Sequence, residues 1–484
     1  MLASVAVFIG SQACQPCHFA LAESYAQTPM ARSSGRVDSI SLPNASFTAN
    51  GHSYRIEDNQ LIFRESGSEF KVPMDFFIGS GAAGRSFLFS RDRYLFELPV
   101  TWYSRKRIWD ASPGYERETE VRLNRAIEPT CLFCHSSRVR PIFGTQNRYG
   151  VSPFLENGIG CERCHGPGSE HVRHPTDAHM VNPAKLAPAL RDSVCNQCHL
   201  TGEARIEQPG HRIAEFQAGD ALSSYATYFV RKHNRGDLKV TSHVEKLAAS
   251  ECKRVSGDKL WCGTCHDPHA GDQSRVTRDK TQSACIGCHP SAHGSDQNRA
   301  GNCADCHMPK SQVVDGGHGV LTDHGIWIRR DAAASSAGMD LQSFLGEPDD
   351  RAIGLAYAEM GDARARDFLL RAKPADVEVR LRLAALEHDT GRARALYESV
   401  LRENPTHPVA LVNLGSLYAR AGRVEEAGNL WRRALDTNPG IEEAALNLAQ
   451  VGTPSEARAI LTRYLEFNPG SNTARARLHS ISSK

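Results

Sequence analysis

The sequence predicts a mainly α-helical protein with a small β-rich insertion near the N-terminus and an α-solenoid at the C-terminus. Period-two alternation of apolar residues predicts the insertion, and a helical period with internal repeats predicts the solenoid. Between them lies a region rich in Cys, His, Gly and Pro, where we expect short helices and loops with little regular structure. A chain of 484 residues is long enough for several such domains.

The amino-acid composition limits the classes of protein to which this chain can belong. Hydrophobic residues make up 40% and charged residues 23% of the chain, which is usual for a folded globular protein. The formal net charge is only +2, so the chain lacks the basic excess that a nucleic-acid partner requires. Cysteine and histidine are unusually frequent, with 15 Cys and 21 His. All the cysteines and most of the histidines precede residue 330, which predicts a domain boundary near that position.

Residues 1–35 form the predicted N-terminal segment, which begins with the apolar run MLASVAVFI. This run lacks a basic n-region and is shorter than a complete signal peptide, so we interpret it as a truncated or partly removed export signal. No stretch of about 20 apolar residues occurs in the sequence, and no membrane-spanning helix is expected.

Residues 36–128 are predicted to form the small β-rich module. Apolar and polar residues alternate in the stretch 54–63 on both sides of Asp58-Asn59, so this stretch is predicted to be strand, turn and strand. Residues 94–100 alternate in the same way. The basic run 105–107 supplies either counter-ions for a bound acidic group or a solvated charged surface.

Residues 129–330 contain six of seven identical C-x-x-C-H motifs, and residues 1–35 contain the first. Numbered 1 to 7 in chain order, the motifs are CQPCH (Cys14, Cys17, His18), CLFCH (Cys131, Cys134, His135), CERCH (Cys161, Cys164, His165), CNQCH (Cys195, Cys198, His199), CGTCH (Cys262, Cys265, His266), CIGCH (Cys285, Cys288, His289) and CADCH (Cys303, Cys306, His307). Two thiols at this spacing can alkylate both vinyl groups of one porphyrin, and the adjacent His reaches its iron, so the sequence predicts seven c-type haems. Zinc half-sites and a disulfide framework are alternatives, but neither needs a His after every pair.

A low-spin haem needs a second axial ligand, usually His or Met. The predicted candidates are His171, His269, His318, His324, His243, His293 and Met30. His269 and His171 follow motifs 5 and 3 so closely that neither can reach the opposite face of its own porphyrin, and we expect each to bind a neighbouring haem. Met30 would raise the potential of its haem. For every candidate, a surface or core role is the alternative.

Five other histidines are interpreted as surface, propionate-contacting or core residues: His52, His174, His179, His211 and His233. Cys252 is the one cysteine outside the motifs. We interpret it as a buried thiol, with an intermolecular bridge or a thiolate ligand as alternatives.

After an Ala- and Ser-rich linker at 331–339, residues 340–484 are predicted to be helical repeats. Asn-Pro pairs recur at Asn404, Asn438 and Asn468, and one copy follows the 34-residue tetratricopeptide pattern. Its pattern residues are Leu411, Leu414, Gly415, Tyr418, Ala427, Trp431, Ala434 and Pro439. Such repeats usually bind a partner protein, here a redox partner, although shielding of a haem face or self-association is the alternative.

The chain resembles multihaem c-type cytochromes with C-terminal tetratricopeptide repeats. The resemblance lies in FFIGSGAAGRSFLF, LPVTWYSRKRIWDASPGYE, GIGCERCHGPGSEHV, SVCNQCHLTGEARI, CGTCHDPHAG, CADCHMPK and HGVLTDHGI. The haem part is also similar to the superfamily of tetrahaem cytochromes, pentahaem nitrite reductases and octahaem hydroxylamine oxidoreductases. The resemblance implies iron ligands at His171 and His269 and periplasmic electron transfer. Met30 and Ala82-Ala83 stand where related cytochromes carry His, which implies that one haem is open or differently ligated.

The leading hypothesis is therefore an electron carrier rather than an enzyme, with seven closely spaced haems that conduct by hopping and a repeat domain that docks a redox partner. Since covalent haem attachment takes place outside the cytoplasmic membrane, a periplasmic, extracellular or cell-surface location is expected. One alternative is a reductase of a small nitrogen or sulfur compound at one open haem, although all seven motifs keep His. Another is a homo-oligomer or filament of stacked cytochromes.

Overall fold

The computed structural model describes residues 7–176, 180–232, 237–271, 274–290, 302–327 and 340–482. The strands are Ser34–Arg36 (β1), Ala45–Ala49 (β2), His52–Glu57 (β3), Gln60–Glu65 (β4), Ser68–Pro73 (β5), Phe76–Ile78 (β6), Arg85–Arg91 (β7), Tyr94–Tyr103 (β8), Ile108–Ala111 (β9), Arg138–Pro141 (β10), Tyr149–Glu156 (β11), Ala204–Glu207 (β12), Ala226–Arg231 (β13), Lys310–Gln312 (β14), Val320–Thr322 (β15) and Leu341–Leu345 (β16).

The α-helices are Phe19–Tyr25 (α1), Pro129–Leu132 (α2), Glu162–His165 (α3), Ser169–Arg173 (α4), Pro188–His199 (α5), His243–Ala249 (α6), Glu251–Ser256 (α7), Cys262–Cys265 (α8), Arg275–Cys288 (α9), Cys303–His307 (α10), Asp350–Glu359 (α11), Ala365–Arg371 (α12), Val377–Leu386 (α13), Thr390–Glu403 (α14), Pro408–Arg420 (α15), Val424–Thr437 (α16), Glu442–Val451 (α17), Pro454–Phe467 (α18) and Asn472–Ser482 (α19). Short 3-10 turns occur at Ser11–Ala13, Val37–Ser39, Pro183–Lys185, Ile213–Glu215, Leu222–Ser224 and Gly257–Lys259. Within the described ranges, none of the helices has the length and apolarity needed to cross a membrane.

Two antiparallel sheets form the N-terminal β part, with strand orders β2-β3-β4-β5 and β1-β6-β7-β8-β9. The predicted strand, turn and strand at 54–63 is confirmed, because β3 pairs with β4 around Asp58 and Asn59, which both have positive φ. Positive φ at both central residues is typical of a type I′ hairpin turn. The sheets enclose a core of aromatic and aliphatic side chains that includes Phe89 and Phe96.

Strand β8 differs from the alternation predicted for 94–100, because both of its faces are buried. Phe96 and Leu98 lie in the core between the two sheets, whereas Leu95 faces a second cluster that contains Tyr149 and Phe154 of β11. Strand β11 thus covers the face that the alternation pattern would leave to solvent.

The middle of the chain is built from short helices and small sheets, as expected for a region with little regular structure. Its sheets are β10-β11, β14-β15 and β12-β13-β16. Strand β16 pairs with β13, so the first residues after the predicted linker complete a central sheet instead of belonging to the repeats. The mainly α prediction therefore holds only in part: the C-terminal end is helical, and the rest combines short helices with several small sheets.

Helices α11 to α19 form the C-terminal repeats. In the best-matching copy, α15 and α16 approach so closely at Gly415 that a Cβ there would lie 2.6 Å from the Trp431 ring. Trp431 Nε1 donates to the Val412 carbonyl at 3.2 Å, which fixes the helix pair.

The Asn-Pro turns of the repeats are buried against the β part. Asn468 is fully buried, and its side-chain oxygen accepts a hydrogen bond from the Leu123 backbone at 2.9 Å. Phe467 packs 5.9 Å from the Phe96 ring and belongs to the core of the two sheets. At the preceding turn, Asn438 donates to the Gln146 side chain at 2.9 Å. The solenoid and the β part are consequently one packed unit along this edge.

Candidate functional site

The C-x-x-C-H motifs lie in single helical turns, which explains their spacing. In motif 3 the His165 N–H donates to the Cys161 carbonyl at 3.0 Å, and in motif 5 the His266 N–H donates to the Cys262 carbonyl at 2.9 Å. The same bond closes motifs 1 and 6. Side chains three and four residues apart share one face of such a turn. Motifs 1, 3, 5 and 6 therefore present two thiols and one imidazole to the same side, whereas in motif 2 the His135 N–H donates to the Leu132 carbonyl instead.

Three motif histidines lie opposite a histidine from another part of the chain. The ring centroids are 6.3 Å apart for His18 and His171, 6.0 Å for His165 and His269, and 6.1 Å for His266 and His324. The ring planes differ by only 21°, 14° and 26° respectively. An iron held by two imidazole nitrogens at about 2 Å each separates the ring centres by roughly 6 Å, so these separations fit the haem ligand set.

The His243 ring lies between those of His199 and His324. Its ring centroid is 5.1 Å from that of His199 of motif 4 and 4.8 Å from that of His324, with the planes nearly perpendicular. Burial lowers the pKa of His324 to about 4, which keeps the imidazole neutral, the form that binds a metal. Four of the predicted second ligands, His171, His269, His324 and His243, are therefore brought to motif histidines.

Backbone carbonyls orient several of these rings. His165 Nδ1 donates to the Val181 carbonyl at 2.7 Å, His307 Nδ1 to the Trp327 carbonyl at 2.7 Å, and His324 Nδ1 to the Thr322 carbonyl at 3.1 Å. A proton held on Nδ1 leaves the lone pair on Nε2, the nitrogen that points away from the backbone. The three imidazoles are thus held in the tautomer that suits iron binding through Nε2.

His135 of motif 2 is in a different environment. Burial lowers its pKa to about 4, and within the described part of the chain it makes no ring contact with another histidine. Ser33 Oγ donates to the carbonyls of both Met30 and His135, at 2.7 and 2.9 Å. Met30 therefore lies beside motif 2, although its thioether was predicted without a specific partner.

His318 does not face a motif histidine within the described ranges. Its Nε2 lies 2.6 Å from an Asp110 carboxylate oxygen and its Nδ1 lies 3.1 Å from Lys106 Nζ. Its ring also packs edge-on against Tyr103 at 5.1 Å. These partners come from β8, β9 and the turn between them, so His318 connects the β part to the β14-β15 hairpin. The sequence contains no local signal for this contact.

The other predicted residues are placed as follows. His293 lies outside the described residues, as do His179 and His233. His52 lies 3.3 Å from Glu65, which fits the surface or core interpretation. The thiol of Cys252 is partly buried in α7, which raises its pKa, with the Cys288 thiol nearby.

Thiols of different motifs also meet. Cys134 and Cys198 are hydrogen-bonded, which lowers the pKa of Cys134 to about 7, and Cys262 has a pKa of about 7 because of its bond to Cys195. Cys14 lies beside Cys161, and burial raises its pKa to about 12. Motifs 1 and 3, 2 and 4, and 4 and 5 are therefore immediate neighbours.

Three family models match separate parts of the chain. The tetratricopeptide repeat model matches residues 384–451, a model for a doubled CXXCH motif matches 253–294, and the model for cytochrome c554 and c-prime matches 103–166. A relative, the multiheme cytochrome MtrA of Shewanella baltica (strain OS185), is 26% identical over 178 residues, which is 34% of this chain and 53% of MtrA. The match thus spans about half the length of that relative.

Solved structures show weaker likenesses. The alignment with the outer cell wall cytochrome OcwA covers 89% of this chain and 99% of the OcwA chain, with 13% identity and a TM-score of 0.41. The alignment with a structure of MamA covers 28% of this chain and 79% of the MamA chain, with 22% identity and a TM-score of 0.25.

Since the family matches fall on the C-x-x-C-H motifs and on the helical repeats, the chain is a multihaem c-type cytochrome that carries tetratricopeptide repeats towards its C-terminus.

Proposed function

We propose that this cytochrome binds seven haems and passes electrons along them, with the repeat domain docking a redox partner. The observation that carries the proposal is the set of three histidine pairs at 6.0–6.3 Å, each joining a motif to a distant segment. Haem supplies one-electron chemistry at its iron, and the polypeptide supplies ligands, spacing and shielding from water. We also place the protein outside the cytoplasmic membrane, where covalent haem attachment takes place.

The histidine pairs imply an order for part of the haem chain. His171 follows motif 3 and faces motif 1, His269 follows motif 5 and faces motif 3, and His324 follows motif 7 and faces motif 5. His269 follows His266 with only two residues between them, and a chain that short spans at most about 10 Å. The haems of motifs 3 and 5 are thereby held close together, and the haems of motifs 1, 3 and 5 form a continuous path.

We assign His243 to the iron of motif 4, since it is the second histidine beside His199. Met30 and His293 remain the proposed candidates for irons without an assigned second histidine. Both ring nitrogens of His318 are engaged by Asp110 and Lys106, so we propose that His318 supports the structure instead of binding iron.

Haem content is the direct test. We expect the intact mass of the native protein to exceed that of the polypeptide by seven covalently bound haems. Replacing Cys303 and Cys306 with Ala should remove one haem and leave six, because thioether bonds are the attachment. A matched control is Cys252→Ala, which should keep all seven. A native mass equal to that of the bare polypeptide would contradict the proposal.

A groove beside the repeat domain is the surface that we propose for docking. Although its Asn-Pro turns are buried, a cavity of about 460 Å³ lies between α15 and α17 on one side and residues 124–128 on the other. Glu128, Glu442 and Glu443 line this groove, whose lining residues include no Lys or Arg. Glu128 directly precedes α2, which contains Cys131 of motif 2. We therefore propose that a basic segment of the partner docks here, beside the haem of motif 2.

Charge reversal in this groove tests the docking role. Glu443→Lys should slow reduction of a small basic cytochrome by the full-length protein several-fold at low salt, because attraction between opposite charges speeds encounter. Glu425→Lys is the matched control, since Glu425 lies at the exposed start of α16 outside the groove. Equal slowing in both variants would indicate a general charge effect and contradict docking in the groove.

One observation favours a second function. His135 makes no ring contact with another histidine within the described residues, so the haem of motif 2 is a candidate for an open iron, as in a reductase of a small nitrogen or sulfur compound. If so, the wild-type oxidised protein would show one high-spin haem that binds cyanide. Entirely low-spin iron would leave electron transfer as the function.

A further inference from the structure

Arg163 is a cation without a carboxylate partner among the residues that the structure describes. It lies between the two cysteines of motif 3, and its guanidinium carbon lies 3.6 Å from the Phe133 ring centroid. Nη2 donates to the Phe133 carbonyl at 3.5 Å, while Nε is enclosed and makes no hydrogen bond to any described residue. Within the described ranges, no carboxylate lies at ion-pair distance from Arg163. Exposed arginines of this chain, such as Arg36, do have such partners.

The acidic groups that face Arg163 are the thiols of Cys134, Cys164 and Cys198, which belong to motifs 2, 3 and 4. Attachment of haem converts each thiol into a thioether, which has no proton to lose and no charge. After haem attachment, none of these three described groups could balance the guanidinium, so its charge would be balanced by the haems themselves.

A second observation points to the same place. Tyr228 is fully buried in the cluster that contains Phe133 and Leu200, against which Cys134 and Cys198 pack. The Arg205 side chain lies near its hydroxyl, but this hydroxyl makes no hydrogen bond of normal geometry within the described part of the chain. Gln197, only 2% exposed, likewise leaves its side-chain oxygen without a partner. Buried polar atoms without partners are costly, so several of them beside two haem-attachment cysteines indicate polar contacts that the cofactor completes.

We infer that Arg163 lies against the haems attached at Cys134 and Cys198 and raises the reduction potential of at least one of them above the other haems. A haem takes up a negative charge on reduction, and a nearby cation in a partly buried, low-dielectric site stabilises the reduced form. Haems 2 and 4 would then accept electrons in preference to their neighbours, and haem 2 would do so beside the groove of the repeat domain. This inference rests on the proposed haem attachment.

The test compares full-length, haem-loaded variants by spectroelectrochemical titration. Arg163→Gln and Arg163→Met should each lower one or two of the midpoint potentials and leave the others unchanged, whereas Arg163→Lys, which keeps the charge, should stay close to wild type. Arg231→Gln is the matched control, because Arg231 lies on β13 like Tyr228 but has a carboxylate partner, Glu203, at 3.3 Å. It should change none of the potentials.

A measurement of intact mass distinguishes a failure of the inference about Arg163 from a failure of the proposed haem attachment. If Arg163→Gln and Arg163→Met retain all their haems and still have wild-type potentials, the inference about Arg163 is wrong while the proposed haem attachment stands. If Arg163→Lys lowers the same potentials as the neutral variants, the effect comes from packing and the inference is also wrong. A wild-type protein without covalent haem would overturn the proposed function itself.

Discussion

Replacing His269 with Ala is expected to convert one low-spin haem into a high-spin haem without loss of covalently bound haem. The His269 ring lies 6.0 Å from that of His165 with the planes within 14°, the placement of the second imidazole on one iron. Without it, that iron keeps a single protein ligand. Electron paramagnetic resonance of the oxidised protein should therefore show a new high-spin signal equal to one haem, and intact mass should be unchanged.

His318→Ala is the matched control for that experiment. Both ring nitrogens of His318 are engaged, by Asp110 and Lys106, so its removal should weaken the contact between the β part and the β14-β15 hairpin but add no high-spin iron. A high-spin signal in the His318 variant would show that it is a ligand after all. An unchanged spectrum in the His269 variant would contradict the pairing with His165.

A single methyl group at Gly470 is expected to destabilise the protein strongly. A Cβ at this position would lie 1.9 Å from the Val121 carbonyl oxygen, and a backbone atom inside a packed unit cannot move aside cheaply. The neighbouring Asn468 and Phe467 join the solenoid to the β part, so the displacement would open a buried junction. We expect Gly470→Ala to lower the free energy of unfolding by about 3 kcal/mol, measured by denaturant titration.

Gly428→Ala provides the control for a methyl group added to the same solenoid. Gly428 lies inside α16, and a Cβ there would have its nearest contact at 3.6 Å, an ordinary van der Waals distance. Because Ala favours a helix interior over Gly, this variant should be more stable by about 0.5–1 kcal/mol. If Gly470→Ala were as stable as wild type, the turn would not be packed against Val121 in solution.

The features predicted correctly from sequence are those set by neighbouring residues. Two cysteines and a histidine within one helical turn share a face whatever surrounds them, so the motifs could be identified without a fold. The β3-β4 hairpin depends on Asp58 and Asn59, whose short side chains tolerate positive φ. The tetratricopeptide copy depends on small residues such as Gly415 where two helices touch.

Features that depend on distant contacts were predicted incompletely. His171 and His269, which we expect to serve haems other than their own, lie opposite His18 and His165, and the sequence offered no way to choose those positions. For His318, only the structure shows an Asp110 partner. Alternation in β8 suggested one solvent-facing side, which the β11 segment in fact covers.

Amino-acid order was enough to indicate the chemistry of this protein, because thioether attachment needs only a short pattern of residues that is the same at every haem. The pairing of motif histidines with distant histidines, the engagement of His318, the enclosed position of Arg163 and the packing of the Asn-Pro turns on the β part emerged only from the folded chain. Each depends on which remote segments come together, and that is set by how the apolar surfaces of the whole molecule are buried.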